Sequence, residues 1–387
     1  MREGGLEGLR RANRIQILEL LFQESPLRQA DVARRTGLSS STVSALVAEA
    51  RAAGLVIEVT RAAAETSRRG QLVSFNYDIG YLIGIEVGQR YTRVAVADLS
   101  HRILATGDIA HARSEASDVT ANRIHATAQS LINDSGIDAS KVVGIGVGMP
   151  NPVDDVHPTI DDLQIFPGWT GERVRLELEG RFGRPVFVEN DANAHALAEY
   201  RWGAARGAQS LIYVWTCGGL GAGIVLDGMI YRGVRGTAGE IGHISVDPDG
   251  KQCYCGNRGC LHTLVGGDVV VDRVRSVLGQ ELSAEDVAVA AAAGERVPTG
   301  ALSDAGRRIG RVVAQLANFL NPDMIVVGGI FLPAGEALLG PMRDEIRRGT
   351  IAGASQVKVT LSELGGAGSI RAVLAIVPLD LEALVET

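Results

Sequence analysis

Apolar residues near the start of the chain recur at helical spacing. Ile15, Leu18 and Phe22, with Ile17 and Leu21 beside them, mark an amphipathic helix from about Leu9 to Phe22. Ser25 and Pro26 read as the N-cap and first residue of a second helix, which passes through Ala30 and Ala33 and stops at Gly37. Ser39 or Ser40 caps a third helix with apolar positions Val43, Leu46, Val47 and Ala50, closed by Gly54. Two short helices joined by a Gly-containing turn make a helix-turn-helix. Two runs of strand formers follow, Leu55 to Val59 and Gln71 to Phe75, around a polar loop that carries Arg61, Arg68 and Arg69. Residues 1–75 therefore predict a winged helix-turn-helix. In that geometry the third helix enters the major groove and offers Ser41, Thr42, Ser44 and Ala45 to bases and phosphates. Arg68 and Arg69 sit on the wing, where guanidinium groups suit phosphates or a narrow minor groove. The competing reading is a protein-docking module with solubilising arginines.

Residues 76–80 read as a hinge, after which Gly-punctuated apolar strands begin. Tyr81 to Val87, Thr92 to Ala97, a turn at Asp98 and Leu99, and a strand from Ile103 form one unit. The same order recurs roughly 130 residues later: Ser210 to Trp215, a Gly-rich loop to Gly221, Ala222 to Leu226, a turn at Asp227 and Gly228, and a strand from Met229. Helical stretches follow each copy, at about Val119 to Asp134 and Asp304 to Asn321. Residues 81–387 thus predict a duplicated, two-lobed α/β body with helices packed on mixed sheets. Small ligands usually bind between such halves.

Charge sharpens this division. Residues 1–75 carry 11 arginines and no lysine against 8 acids, a net +3, while the rest of the chain is −10. A basic head on an acidic body favours nucleic-acid contact by the head alone. No run of about 18 apolar residues occurs and the start lacks a signal-peptide core, so a cytoplasmic protein without membrane spans is expected.

Three of the four cysteines crowd into Cys253, Cys255 and Cys260, with His243 ten residues before the first. Thiolate and imidazole are preferred ligands of tetrahedral Zn2+, so this set predicts a closed, structural zinc site. Cys217, alone on the Gly-rich loop, reads as a buried small apolar residue.

The chain resembles the ROK family of sugar-responsive repressors and sugar kinases. The resemblance rests on Glu189-Asn190-Asp191-Ala192-Asn193-Ala194, on Gly239-Glu240-Ile241-Gly242-His243, on the cysteine segment, and on Asn321-Pro322-Asp323 leading to Val327-Gly328-Gly329. It implies an actin-like, ribonuclease H-like body with a sugar in the cleft, contacted by Asn190, Asp191, Glu240 and His243. One ring nitrogen of His243 would then bind zinc while the other faces the sugar. Gly168 and Trp169 add an apolar wall, or Trp169 belongs to the core. Three departures stand out. Kinase members carry Asp-x-Gly-Gly-Thr after the first strand, where this chain reads Glu86-Val87-Gly88-Gln89-Arg90-Tyr91; the second phosphate loop shows Cys217-Gly218-Gly219 without the usual Thr; and His262 replaces a sugar-binding Glu. Bulky side chains in the first loop oppose close approach of a polyphosphate.

These readings favour a regulator that binds palindromic operator DNA as a homodimer, or a dimer of dimers, and responds to a sugar or sugar phosphate. No catalysis is expected. The alternatives are an ATP-dependent sugar kinase, with Asp191 as general base, and a ligand-independent DNA-binding or docking module. Replacing Arg68 and Arg69 by Ala is expected to weaken DNA binding and lower its log–log salt slope by about 2. Fluorescence anisotropy over a range of salt concentrations reads that slope, and an unchanged slope contradicts a phosphate role for the wing.

Overall fold

The computed structural model describes residues 3–59, 72–88, 91–111, 115, 117–154, 169–365 and 369–386. Its head contains α1 (Glu3–Glu24), β1 (Leu27–Arg28), α2 (Gln29–Thr36), α3 (Ser40–Ala52), β2 (Val56–Val59) and β3 (Leu72–Phe75). Ile17, Leu18 and Leu21 of α1 are buried against Val43, Leu46 and Val47 of α3 and Val32 of α2. The helix starts earlier and ends later than its apolar stripe alone predicts.

The second helix also begins elsewhere. Ser25 does not cap it, because its hydroxyl accepts a hydrogen bond from the Phe75 amide at 2.9 Å. Leu27 and Arg28 pair antiparallel with Val73 and Leu72, so the segment after Pro26 serves as a strand and the helix waits until Gln29. The wing sheet accordingly has three strands in the order β1-β3-β2. Gly37 closes α2 in the left-handed region, φ 72°, as its residue type suggests. Of the two candidate caps for α3, Ser39 is the one used, accepting from the Thr42 amide at 3.1 Å. Arg61, Arg68 and Arg69 lie outside the described residues.

Beyond the head, β4 (Tyr81–Val87), β5 (Tyr91–Asp98), β6 (Ile103–Ala110), α4 (Ser117–Asp134), β7 (Val142–Met149), α5 (Gly171–Phe182) and β8 (Val186–Asn190) form the first lobe. After α6 (Asp191–Trp202), the second lobe contains β9 (Ser210–Thr216), β10 (Leu220–Leu226), β11 (Met229–Ile230), α7 (His262–Val265), α8 (Gly267–Leu278), α9 (Ala284–Ala292), α10 (Arg296–Leu320), β12 (Met324–Gly329), α11 (Glu336–Gly349) and β13 (Lys358–Leu361). The sheets run β6-β5-β4-β7-β8 and β11-β10-β9-β12-β13. In each, an antiparallel trio is extended by two strands parallel to the first of the trio. The duplication read from the sequence is thus a duplication of topology. The chain ends in α12 (Ser369–Ala375), packed on β4, β7 and α6, and α13 (Leu381–Glu386). No helix among the described residues is long and apolar enough to cross a membrane.

Head and first lobe share one apolar cluster, in which Leu18, Leu21 and Phe75 meet Leu82, Leu99, Leu374 and Val377. Phe22, Phe75 and Tyr77 add a ring cluster with centroids 5.2 to 5.6 Å apart. The segment 76–80, expected as a hinge, forms a short turn at Tyr77–Ile79. There the Tyr77 hydroxyl donates to the Phe22 carbonyl at 2.7 Å. Phe75 is fully buried at the centre of this junction. Phe75→Ala is expected to cost about 3–5 kcal/mol in urea unfolding, the usual cost of a large core deletion. A change below about 1 kcal/mol contradicts a shared core.

Candidate functional site

The cleft is built where β8 gives way to α6. Asn190 caps α6, its amide oxygen accepting from the Asn193 backbone at 3.2 Å while its amide nitrogen donates to the Asn151 carbonyl at 3.3 Å. Behind it the buried Glu189 carboxylate accepts from the Asn190 amide, from Asn193 Nδ2 at 3.0 Å and from Arg232 Nε at 2.8 Å. These bonds fix the position of Asp191, the first residue of α6. Its Oδ1 accepts from the Ala192 amide at 2.7 Å and its Oδ2 from Trp215 Nε1 at 3.0 Å. The His195 ring stacks on Trp215 with centroids 3.9 Å apart, holding the indole that holds Asp191.

Gly239 brings the next acid in. It sits at φ 95°, and a Cβ there would lie 1.9 Å from the Ala222 carbonyl, so only glycine lets this loop lie on β10. Glu240 then faces the cleft, and the short turn Ile241–His243 delivers the histidine. Burial pushes the Asp191 carboxyl up to about 6. Glu240 rises to about 7, from burial first and from the Asp191 charge second. Asp191 therefore holds its proton more tightly folded than unfolded, where the usual value is 3.8. Its contribution to stability is present at low pH and is lost as pH rises from about 4 through about 6.

His243 faces two ways. Its Nδ1 lies 3.5 Å from Cys253 Sγ, and its Nε2 lies 3.1 Å from the Tyr254 hydroxyl and 3.8 Å from Glu240 Oε2. Cys255 and Cys260 approach to 3.6 Å between sulfurs, and the four donor atoms all fall within 4.8 Å of one another. Zinc bonds of about 2.3 Å to sulfur and about 2.0–2.1 Å to nitrogen, in a tetrahedron, require donor separations of roughly 3.5–3.8 Å. The spacing and the Cys3His donor chemistry fit Zn2+.

The open cleft, of about 150 Å³, is lined by Asn190, Asp191, Glu240, His243 and His262 together, with Trp215, Cys217, Tyr254 and Asp268. Cys217 is half-buried, packed against the apolar cluster of Trp215, Tyr213 and Ala192 while also lining the cleft. Burial pushes its thiol well above the usual value, so it stays protonated. Trp169 is not a cleft wall: it is 3% exposed in the core of the first lobe, beside Val174 and Leu178. Gly168 lies outside the described residues. Tyr254 and Asp268 went unread in the sequence. Tyr254 sits between two cysteines and was legible only as a spacer, and Asp268 reaches the cleft through the start of α8.

The proposed DNA face divides. Ser41, Ser44 and Ala45 of α3 are exposed and Thr42 is half-buried. Thr42 and Ala45 border a groove against Leu9, Arg10 and Asn13 of α1.

Residues 82–378 match the ROK family and residues 10–57 a winged helix-turn-helix DNA-binding family. The chain belongs to the ROK family. It is 27% identical to the xylose repressor of Bacillus subtilis, with 87% of each chain aligned. Among solved structures it is similar to a ROK family transcriptional regulator described as a homologue of the Escherichia coli MLC protein, at 25% identity over 98% of each chain and a TM-score of 0.75. It is also similar to a ROK family glucokinase from Streptomyces griseus in complex with glucose and AMPPNP, at 30% identity over 76% of this chain and 98% of that one, with a TM-score of 0.66.

In this ROK protein the cysteine cluster and the cleft meet at one side chain, so the two should fail together. Cys255→Ser is expected to lose metal, read as zinc per chain by mass spectrometry, and to loosen the 240–262 segment in hydrogen exchange. Stoichiometric zinc in that variant refutes the ligand set.

Proposed function

We propose that this chain is a sugar-responsive transcriptional regulator, a repressor of carbohydrate-metabolism genes. Residues 1–75 bind operator DNA, residues 76–80 join the domains, and the cleft within residues 81–387 takes the effector. The observation that carries this reading is a continuous packed path from cleft to head. Asp191 opens α6 in the cleft, and Trp202 ends it about 16.5 Å away at 1.5 Å per residue. Trp202 packs against His101, with ring centroids 4.5 Å apart and planes tilted by 45°, in the turn after β5. Two residues earlier, Leu99 lies in the core shared with the head, and its amide donates to the Tyr77 carbonyl at 3.3 Å. A ligand that shifts α6 thereby reaches the DNA-binding domain through side chains in contact. Such a shift matters only if the ligand binds the two arrangements with different affinity.

In this reading Asp191, Glu240 and His262 hydrogen-bond sugar hydroxyls, His243 acts on them through the neighbouring Tyr254 hydroxyl, and Asn190 positions Asp191. Ser41, Thr42, Ser44 and Ala45, with Arg68 and Arg69, contact DNA. Zn2+ held by His243, Cys253, Cys255 and Cys260 is structural: it orients His243 and supplies no reaction chemistry. The protein acts as a cytoplasmic homodimer or dimer of dimers, since two-fold symmetry matches palindromic half-sites. The likeness to a glucokinase and the raised Asp191 carboxyl favour a kinase as the second reading. Against it, the chain reads Gly88-Gln89-Arg90-Tyr91 where kinases carry a Gly-Thr phosphate loop, and bulky side chains there oppose close approach of a polyphosphate.

The test is thermal shift with free sugars, amino sugars and sugar phosphates, followed by DNA binding to fragments enriched from a random library. A sugar at a hundred times its Kd should stabilise the protein by about 2.7 kcal/mol. The same sugar should change DNA affinity by about 5–150-fold. Asp191→Ala should lose the stabilisation. Phosphorylation of that sugar by ATP and Mg2+ sinks the non-catalytic reading, and a stabilising sugar without effect on DNA sinks the regulatory one.

A further inference from the structure

The end of the cleft beside the cysteine cluster carries Tyr254, a side chain outside the sugar-contact set, next to His262. Tyr254 lies between Cys253 and Cys255, so the loop that gathers the sulfurs also sets the phenol. Its ring stands edge-on to His243 and to His262, with centroids at 5.1 and 5.4 Å. His262 Nδ1 is buried without a hydrogen-bond partner, and that ring is wedged against Gly219 and Gly266. A Cβ at Gly266 would lie 2.8 Å from Nδ1, so that position has no room for a larger residue while the imidazole stays where it is, whereas one at Gly219 would sit in ordinary contact at 3.5 Å.

Proton bookkeeping then gives the phenol a direction. With His243 Nδ1 turned to the cysteines as a lone-pair donor, the proton of the neutral ring resides on Nε2. That N–H donates to the Tyr254 oxygen across 3.1 Å. The phenol proton is left free to donate into the cleft. A sugar hydroxyl placed there accepts from Tyr254, and His262 Nδ1 can exchange a further hydrogen bond with it.

The charge of the lining restricts what that sugar carries. Asp191, Glu240 and Asp268 line the cleft, and no Lys or Arg does among the described residues. A phosphate group would bring further negative charge against these carboxyls, with no cation among the described lining residues to offset it, and such repulsion grows as water is excluded.

We propose that Tyr254 and His262 form a specificity-determining end wall that reads hydroxyl groups of an unphosphorylated, neutral or amine-bearing sugar and excludes sugar phosphates. This inference rests on the sugar-responsive reading and narrows it to one chemical class. Tyr254 contacts the ligand directly, and the cysteine loop fixes where it stands.

Matched pairs test it: D-glucose against glucose 6-phosphate, and N-acetylglucosamine and glucosamine against their 6-phosphates, with D-xylose added. Calorimetry and thermal shift on the full chain read binding. The expected result is that at least one neutral or amine-bearing sugar binds and its phosphate binds at least about tenfold more weakly. Tyr254→Phe should weaken the bound sugar by about tenfold, the loss of one net hydrogen bond. Zinc content measured on the same sample reports whether the loop is still formed. A phosphate that binds as tightly as its parent sugar overturns the inference and leaves the sugar-responsive reading standing. Unchanged affinity in Tyr254→Phe with zinc intact overturns the role of Tyr254. Silence from every sugar, phosphorylated or not, overturns both readings. The wild-type panel decides the charge question even if the variant fails to fold.

Discussion

One imidazole serves two neighbours, and the cleft depends on it. Between β11 and α8 the chain runs some distance with little regular structure, held by two isolated bridges, Ser245 with Cys260 and Gln252 with Arg258. Val246 and Tyr254 on this stretch are exposed, while Ile241, Cys253, Cys260 and Leu261 are buried, so hydrophobic burial anchors it only in part. The four donors stand where Zn2+, drawn to thiolates and one imidazole, would add a cross-link to this loop. Since the same imidazole turns its other nitrogen to Tyr254 and Glu240, an ion held there would also set the orientation of the cleft's polar groups. A second nitrogen hydrogen-bonded outside the metal is the usual way a ligand ring is held in register.

Opposite this wall, the cost of function is visible in α6. An acid at the first position of a helix is ordinarily favoured by the exposed amides there. Asp191 enjoys one of those amides and an indole N–H, yet burial outweighs both and raises its carboxyl. A fold selected for stability alone would place no carboxyl there. Two acids facing one cleft become tolerable under the proposed function, in which a polyhydroxylated ligand would supply donors to both and an analogue lacking one hydroxyl would leave an acceptor unpaired.

Much of this was legible in the sequence, for identifiable physical reasons. The duplicated lobes showed because alternation of strand formers and Gly turns survives in both copies, and the Cys3His set showed because its donors are close in sequence. The third helix showed through Ser39 and its stripe of Val43, Leu46, Val47 and Ala50. The start of the second helix did not: Ser25 and Pro26 carry a local capping signal, but Phe75, fifty residues away, takes the Ser25 hydroxyl and Val73 takes Leu27 as a strand partner. Trp169 lay beyond pattern reading because an apolar ring suits a cleft wall and a core equally. Tyr254 and Trp215 were silent for a related reason, since a phenol or indole announces its partner only in three dimensions.

The head's own charge limits how it can hold DNA. Arg34 pairs with Asp31 at 2.8 Å, Arg10 with Glu49, Arg35 with Glu24 and Arg51 with Glu58, and Arg11 reaches Glu382 of α13 at 3.6 Å. Exposed pairs of this kind are worth about 0–1 kcal/mol each, so a phosphate can displace the acid, but every displacement returns an unpaired carboxylate beside the backbone of the duplex. The body contributes further repulsion, since it is −10 overall. Non-specific attraction is thereby kept low. A regulator must distinguish its site from a vast excess of other DNA, so the ratio of specific to non-specific binding matters more than either alone. A head whose positive charge is largely neutralised at rest gives up absolute affinity and gains in that ratio. It also leaves the balance between bound and free within reach of the 1–3 kcal/mol that a ligand in a distant cleft typically supplies.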